Sequence, residues 1–154
     1  MQELGWPVNR MQAVLVADDD AVMRGIIERT LRRAGYRVLA AEDGDAALAC
    51  FRARGSAIHL LLTDITMPGL CGDELASRVR ESPAAPPVIY MSGRSRTELI
   101  EERRLTSSDV YLQKPFTRAC LLREIQAQLD AALTRRRPSQ RVAVSSAIPS
   151  ARNK

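Results

Sequence analysis

Three consecutive carboxylates follow a short apolar run near the start of the chain, in the stretch VLVADDD that ends with Asp18, Asp19 and Asp20. Two like charges about 4 Å apart repel by roughly 1 kcal/mol in bulk water and by roughly 4 kcal/mol near a protein surface. Such a triplet at the end of a buried segment needs a partner that offsets the repulsion. Water or a cation could supply it, and the triplet alone leaves both open.

Other polar side chains stand at the ends of three further apolar runs. Asp64 follows IHLLLT, Ser92 follows VIYM, and Lys114 follows VYLQ. A carboxylate flanked by a bound cation, an ammonium group and a hydroxyl can act as a nucleophile and form an aspartyl phosphate. The two cations would then stabilise charge on the transferring phosphoryl group, which is most of what phosphoryl transfer requires of a protein.

Short apolar runs alternate with amphipathic segments along the chain. Nearly continuous apolar runs are typical of parallel strands that are buried on both faces. The runs are residues 13–17, 36–41, 58–63, 88–91 and 110–113. Between the first two, apolar residues from Met23 to Ala34, Ile26 among them, recur at helical spacing, and Gly35 is suited to end that helix. The segment RSRTELIEERR has the weakest helical pattern.

This alternation predicts an α/β fold, a flavodoxin-like three-layer sandwich built on a doubly wound, five-stranded parallel sheet of order 2-1-3-4-5. Ligands bind such sheets at the carboxyl edge of the strands, where the first and third strands are neighbours. Asp64 should therefore face Asp18 and Asp19. Oxygen ligands without a nearby histidine or cysteine favour Mg²⁺, with Mn²⁺ as the alternative. Lys114 would pair with a carboxylate or with a phosphoryl oxygen.

The length of the chain and the distribution of its charge indicate how it is divided into a domain and terminal segments. It has 154 residues, of which 45% are hydrophobic and 27% charged, as expected for one globular domain. The net charge of +5 belongs to the end of the chain, because residues 11–130 carry 16 basic and 17 acidic side chains. We predict a domain over residues 11–133, preceded by an extension of residues 1–10 and followed by a basic, Ser/Pro/Arg-rich, disordered tail of residues 134–154.

Several protein classes do not fit this sequence. The three cysteines form no C-x-x-C pair, which argues against a disulfide framework and a zinc site. The first ten residues lack the layout of a signal peptide, and no apolar run reaches the roughly 18 residues of a membrane span. We therefore expect a cytoplasmic protein with no membrane partner. About 20 residues follow the last predicted helix, too few for a helix-turn-helix module, so no nucleic-acid domain is expected.

Four stretches together, VLVADDD, LLTDITMPG, YMSG and YLQKPF, resemble the receiver domains of two-component response regulators over about residues 13–129. The resemblance implies that Asp64 is the phosphoacceptor. It implies that Asp19 ligates Mg²⁺ directly and Asp18 through water, together with Asp64 and the main-chain carbonyl of Thr66. Lys114 would be the phosphate partner, joined to the next residue by a cis X-Pro bond.

The resemblance also implies a conformational switch. Ser92 would move towards the phosphoryl group, Tyr111 would follow into the vacated space, and the surface of the fourth helix, fifth strand and fifth helix would change shape. A histidine kinase or a histidine phosphotransfer protein would donate the phosphoryl group. An unknown downstream protein would bind the changed surface, through which a phosphorylation-dependent dimer could also form. Such a protein catalyses at most its own phosphorylation and dephosphorylation.

Some of these residues also have structural explanations. Asp20 is predicted mainly to cap the following helix, with tuning of the metal site as the alternative. Tyr111 could be a half-buried strand aromatic. His59, the single histidine, is expected to be structural. The sequence departs from the family at Cys71, where an aspartate is usual, and in the LTSSDV segment before Tyr111, which lacks the common Gly-Ala.

Other functions remain compatible with the sequence. YMSG and LQKPF also resemble receivers of hybrid histidine kinases, so the chain could be a fragment of one. It could be an interaction module that never turns over phosphate. A haloacid-dehalogenase-type phosphatase usually has D-x-D after its first strand, whereas Thr66 stands two residues after Asp64. Nucleic-acid binding driven by the tail is the remaining class.

Overall fold

The computed structural model describes residues 12–136. In chain order its elements are β1 (Ala13–Ala17), α1 (Ala21–Arg33), β2 (Arg37–Ala41), α2 (Gly44–Arg54), a 3-10 turn (Gly55–Ala57), β3 (Leu60–Asp64), α3 (Gly72–Arg80), β4 (Val88–Ser92), α4 (Arg96–Glu101), β5 (Val110–Gln113) and α5 (Arg118–Arg136). The strands of this part of the chain form one parallel sheet in the order β2-β1-β3-β4-β5, which confirms the predicted fold. No helix in it is both long enough and apolar enough to cross a membrane.

The three central strands are buried along their whole lengths because helices cover both faces of the sheet. Alternate residues of β1 point to opposite faces, as the pleat requires. Leu15 belongs to a core shared with α2, α3 and α4, and Val14 belongs to a second core shared with α1 and α5. This double burial accounts for the nearly continuous apolar runs in the sequence.

The structure shifts several predicted boundaries. β3 and β4 extend to Asp64 and Ser92, so these two residues end their strands instead of following them. Ile26, placed by the pattern on the buried face of α1, is 51% exposed. Thr30 is buried on that helix, and its hydroxyl is satisfied there because it donates to the carbonyl of Ile26. α4 has only six residues, as its weak pattern indicated.

The last helix continues three residues past the domain boundary predicted at 133. Thr134 donates its hydroxyl to the carbonyl of Asp130. The three arginines that follow in the sequence are good helix formers, and the next helix breaker is Pro138. The helix therefore includes residues 134–136 of the segment predicted as a tail. The rest of that tail and the extension of residues 1–10 lie outside the described part of the chain.

Gly72 begins α3 directly against the end of β3, and its amide donates to the carbonyl of Ile65 at 2.8 Å. A Cβ atom at Gly72 would lie 2.0 Å from the carbonyl oxygen of Asp64. We expect Gly72→Ala to lower the free energy of unfolding by about 3 kcal/mol in urea denaturation, because the backbone at the end of β3 must move. The helix start thus fixes the backbone of Asp64.

Gly25, in the middle of α1, provides the matched control for this substitution. A Cβ atom there would meet nothing within 4 Å. Gly25→Ala should raise the free energy of unfolding by about 1 kcal/mol, since alanine has the higher helix propensity. If both alanine variants changed stability in the same direction, the explanation by close backbone approach would be wrong.

Candidate functional site

Asp18, Asp19 and Asp64 meet at the carboxyl edge of β1 and β3. Ala17 pairs with Thr63 across these neighbouring strands, so the residues that come next are adjacent. One carboxylate oxygen from each of the three aspartates lies within 4.8 Å of the others. Asp18 is fully buried and Asp64 nearly so, whereas Asp19 is exposed. Two inner carboxylates and one solvent-facing carboxylate fit a hydrated Mg²⁺ ion, which takes few protein ligands and keeps several waters.

Lys114 supplies the positive charge of this cluster. Its Nζ atom lies 3.0 Å from Asp18 Oδ2 and 3.0 Å from Asp64 Oδ2. Burial alone would lower the pKa of the Lys114 ammonium group, but its hydrogen bonds to the two carboxylates raise that pKa above the usual value. The bond from Lys114 to Pro115 is cis, as the resemblance implied. Lys114 therefore balances two buried carboxylates and is not a solvated surface lysine.

Both carboxylate oxygens of Asp64 are hydrogen-bonded. Oδ2 accepts from Lys114, and Oδ1 accepts from the amide of Thr66 at 3.2 Å. Burial raises the pKa of Asp64, and the hydrogen bond and charge of Lys114 offset only part of this effect. The ionised form of Asp64 is thus less favourable in the folded protein than in water. A further cation at this edge would stabilise it.

The three consecutive aspartates have different environments. Asp18 Oδ1 accepts from the amide of Asp20 at 2.9 Å. The carboxylate of Asp20 turns away to accept from the amides of Val22 and Met23, which makes it the N-cap of α1. Among the described residues, the carboxylates that could hold a metal together are those of Asp18, Asp19 and Asp64, and Asp20 is not one of them. The predicted capping role of Asp20 is confirmed.

Ser92 and Tyr111 are linked through main-chain groups at the ends of β4 and β5. The carbonyl of Ser92 accepts from the Tyr111 hydroxyl at 3.0 Å and from the amide of Lys114 at 2.8 Å. The Ser92 hydroxyl accepts from the amide of Arg94 at 3.2 Å, and the Tyr111 hydroxyl also donates to the Arg94 carbonyl. The two expected switch residues therefore share the segment that leads into α4, while the Ser92 side chain is buried at the same edge as the aspartates.

The sheet order, the acidic cluster and the bridging lysine together restrict the family of proteins to which the chain can belong. The family model of the response regulator receiver domain matches residues 14–126. The chain belongs to this family. It is therefore a receiver domain of a two-component response regulator, with the flavodoxin-like fold predicted from the sequence.

Relatives of this receiver domain differ in length. The response regulator receiver protein CpdR of Brucella abortus is 34% identical over 122 residues, which are 79% of this chain and 100% of CpdR. YrkP of Bacillus subtilis, an uncharacterized transcriptional regulatory protein, is 36% identical over 116 residues, which are 75% of this chain and 48% of YrkP. The crystal structure of the receiver domain of the hybrid histidine kinase CckA is 30% identical, with a TM-score of 0.65 and coverage of 76% of this chain and 98% of that one. The chain spans about half the length of the curated transcriptional regulators it matches.

Two arginines contact the site of this receiver domain without having been predicted to do so. Arg24 donates from Nη1 to the carbonyl of Asp18 at 2.8 Å, and Arg104 donates from Nη2 to the carbonyl of Ile65 at 3.1 Å. Arg24 could have been found, since the first turn of α1 starts at the acidic cluster. Nothing in the sequence around Arg104 indicates its contact. His59 lies away from the site, where its Nδ1 accepts from the amide of Ala13 at the start of β1, as a structural role requires.

Proposed function

We propose that this receiver accepts a phosphoryl group on Asp64 from a histidine kinase or a histidine phosphotransfer protein, in a reaction that depends on Mg²⁺. The observation that carries the proposal is the Lys114 ammonium group, which lies 3.0 Å from both Asp18 and Asp64 beside a third carboxylate. An interaction module without phosphate turnover would not need a buried charge cluster whose carboxylate repulsion destabilises the fold.

The transfer is a displacement at phosphorus. A carboxylate oxygen of Asp64 attacks the phosphorus atom of the phosphohistidine, the P–N bond breaks, and a new P–O bond forms an acyl phosphate. The imidazole leaves with the electron pair of the P–N bond and takes up a proton. Lys114 moves its hydrogen bond from Asp64 to a phosphoryl oxygen. The charge of its ammonium group then lies beside the phosphoryl oxygens, on which negative charge accumulates during the transfer.

The metal would be held by Asp18, Asp19, Asp64 and the main-chain carbonyl of Thr66, and Mg²⁺ fits this set of oxygen donors better than a softer ion. When bound, Mg²⁺ supplies positive charge to the oxygens of the phosphoryl group. The residues of the chain orient Asp64: the Thr66 amide fixes one oxygen and Lys114 the other.

The signal would leave the site through Ser92 and Tyr111. A phosphoryl group on Asp64 offers a new acceptor to the Ser92 hydroxyl, which now accepts from the Arg94 amide. Movement of Ser92 would disturb the hydrogen bonds of Tyr111 to the Ser92 and Arg94 carbonyls, and with them the surface of α4, β5 and α5. A downstream protein, or a second phosphorylated copy, would bind that surface in the cytoplasm. A fragment of a hybrid histidine kinase would use the same site, with its output in the remainder of the kinase.

The proposal is tested by incubating the protein with acetyl phosphate and Mg²⁺ and measuring its intact mass. We expect an acid-stable, base-labile phosphoryl adduct whose position maps to Asp64 by peptide fragmentation. A parallel reaction with EDTA should give no adduct, because the acidic cluster then lacks its metal. A wild-type protein that stays unmodified with Mg²⁺, or an adduct on another residue, would contradict the proposal.

A further inference from the structure

The end of α4 has an unusual backbone conformation. Arg103 has a φ of 60°, and it is the one non-glycine residue with positive φ in the described part of the chain. Its amide donates to the carbonyl of Ile100, and the amide of Arg104 donates to the carbonyl of Leu99. This pair of hydrogen bonds ends helices at a left-handed residue that is usually glycine. A left-handed arginine persists only where the surrounding structure imposes it.

Contacts of the next side chain provide such a constraint. Arg104 Nη2 lies 3.1 Å from the carbonyl oxygen of Ile65 and 3.1 Å from Asp73 Oδ1, and Nη1 lies 3.5 Å from Thr66 Oγ1. The side chains of Arg104 and Asp73 are 22% and 29% exposed, so this ion pair is partly shielded from water. One guanidinium group thus joins the end of α4 to the loop after β3 and to the first turn of α3.

The segment that Arg104 holds directly follows the proposed phosphoacceptor. The amide of Thr66 donates to Asp64 Oδ1, and the amide of Gly72 donates to the same Ile65 carbonyl that accepts from Arg104. A rotation of the Ile65–Thr66 backbone would move both the Asp64 carboxylate and the Thr66 carbonyl. A planar fork of donors restrains such a rotation better than a single ammonium group, because it bonds to separate acceptors at the same time.

We propose that Arg104 is a positioning residue, which holds the Ile65–Thr66 backbone in the geometry that binds Mg²⁺ and couples it to the end of α4. The inference rests on the proposed function for the identity of the metal and adds a residue outside the metal ligands. Because coupling between sites is reciprocal, a cation that fixes this loop also fixes the end of α4, and a partner that displaces α4 weakens the cation site by the same factor.

The test compares Arg104→Ala, Arg104→Lys and wild type by titrating each with Mg²⁺ in a calorimeter. We expect Arg104→Ala to raise the dissociation constant for Mg²⁺ about tenfold, as is typical when a residue that orients metal ligands is removed. Arg104→Lys should recover part of this loss. In EDTA, hydrogen exchange of residues 65–72 should be faster in Arg104→Ala than in wild type. Unchanged Mg²⁺ affinity and unchanged exchange in Arg104→Ala would overturn the inference.

Arg80→Ala is the matched control, because Arg80 also pairs with an aspartate, Asp109, before the start of β5 and away from the acidic cluster. It should leave the Mg²⁺ affinity unchanged, and an equal loss in Arg80→Ala and Arg104→Ala would overturn the inference. Should Arg104→Ala fail to fold, Arg104→Lys and Asp73→Asn decide, each with an expected loss of about threefold in Mg²⁺ affinity and faster exchange of residues 65–72. Failure of the proposed function is distinguishable: wild type would then take up no phosphoryl group, while the affinity and exchange results would still decide the role of Arg104.

Discussion

Asp64→Asn is expected to take up no phosphoryl group from acetyl phosphate under conditions that modify the wild type fully. The carboxamide that replaces the carboxylate is not a nucleophile for phosphorus, and no other carboxylate of the cluster receives hydrogen bonds from both Lys114 and Thr66 in the described structure. The measurement is the intact mass after reaction with Mg²⁺ and acetyl phosphate. The expected effect is complete loss of the adduct.

The same variant should be more stable than wild type in EDTA at neutral pH. Burial raises the pKa of Asp64, so the folded protein binds its proton at a pH where the unfolded chain has already released it. The free energy of unfolding of wild type therefore falls as the pH rises through the interval between the two pKa values. Asparagine has no such titration. The stability advantage of Asp64→Asn should shrink as the pH is lowered through this interval, which urea denaturation at a series of pH values will measure.

Asp20→Asn is the control for both measurements. Asparagine caps helices about as well as aspartate, so α1 should keep its N-cap. The variant should take up the phosphoryl group like wild type, because the carboxylate of Asp20 bonds to the amides of α1 and not to Lys114. Equal modification of Asp64→Asn and wild type would refute the role of Asp64. Loss of modification in Asp20→Asn would show that the third aspartate also serves the metal site.

The positions of the acidic residues could be predicted because they depend only on strand topology. Once β1 and β3 are parallel neighbours, the residues at their carboxyl ends must meet, and Lys114 at the end of β5 reaches them across the same edge. The cap at Asp20 was likewise predictable, since it needs only the start of α1 and a short polar side chain. These features follow from the chain direction and from residue type.

The contacts of Arg104 could not be predicted, because they depend on where α4 ends. The left-handed backbone of Arg103, with a φ of 60°, has no signature in the sequence. A helix one turn longer would place Arg104 elsewhere. Ile26 and the end of α5 show the same limitation. Ile26 fits the apolar spacing of α1, but it is 51% exposed, and Ile27 and Leu31 lie on the buried face of that helix instead. α5 continues past 133 because no residue there breaks a helix that has already formed.

Lys114→Met is expected to lower the free energy of unfolding in EDTA by about 3 kcal/mol, the typical cost of removing one partner from a buried ion pair. Asp18 is fully buried and Asp64 nearly so, and both would lose the cation that they share. Mg²⁺ should restore most of the lost stability, because it supplies the missing positive charge. It should bind the variant at least as tightly as wild type, since the ammonium group no longer repels it.

Uptake of the phosphoryl group by Lys114→Met should nevertheless be about 100-fold slower at saturating Mg²⁺, since one donor to the developing charge is gone. Lys114→Arg is the matched control: it keeps the charge and should recover the stability in EDTA, but its planar fork replaces a point charge and should restore the rate only in part. A solvated surface lysine would change neither quantity on substitution. The two measurements are independent of each other. The stability in EDTA depends on the ion pairs of Lys114 with Asp18 and Asp64, whereas the rate depends on the interaction of Lys114 with the phosphoryl group. If Lys114→Met lost stability in EDTA but kept the wild-type rate, Lys114 would be a structural counter-ion alone. Stabilisation of the charge on the transferring phosphoryl group would then be assigned to the metal.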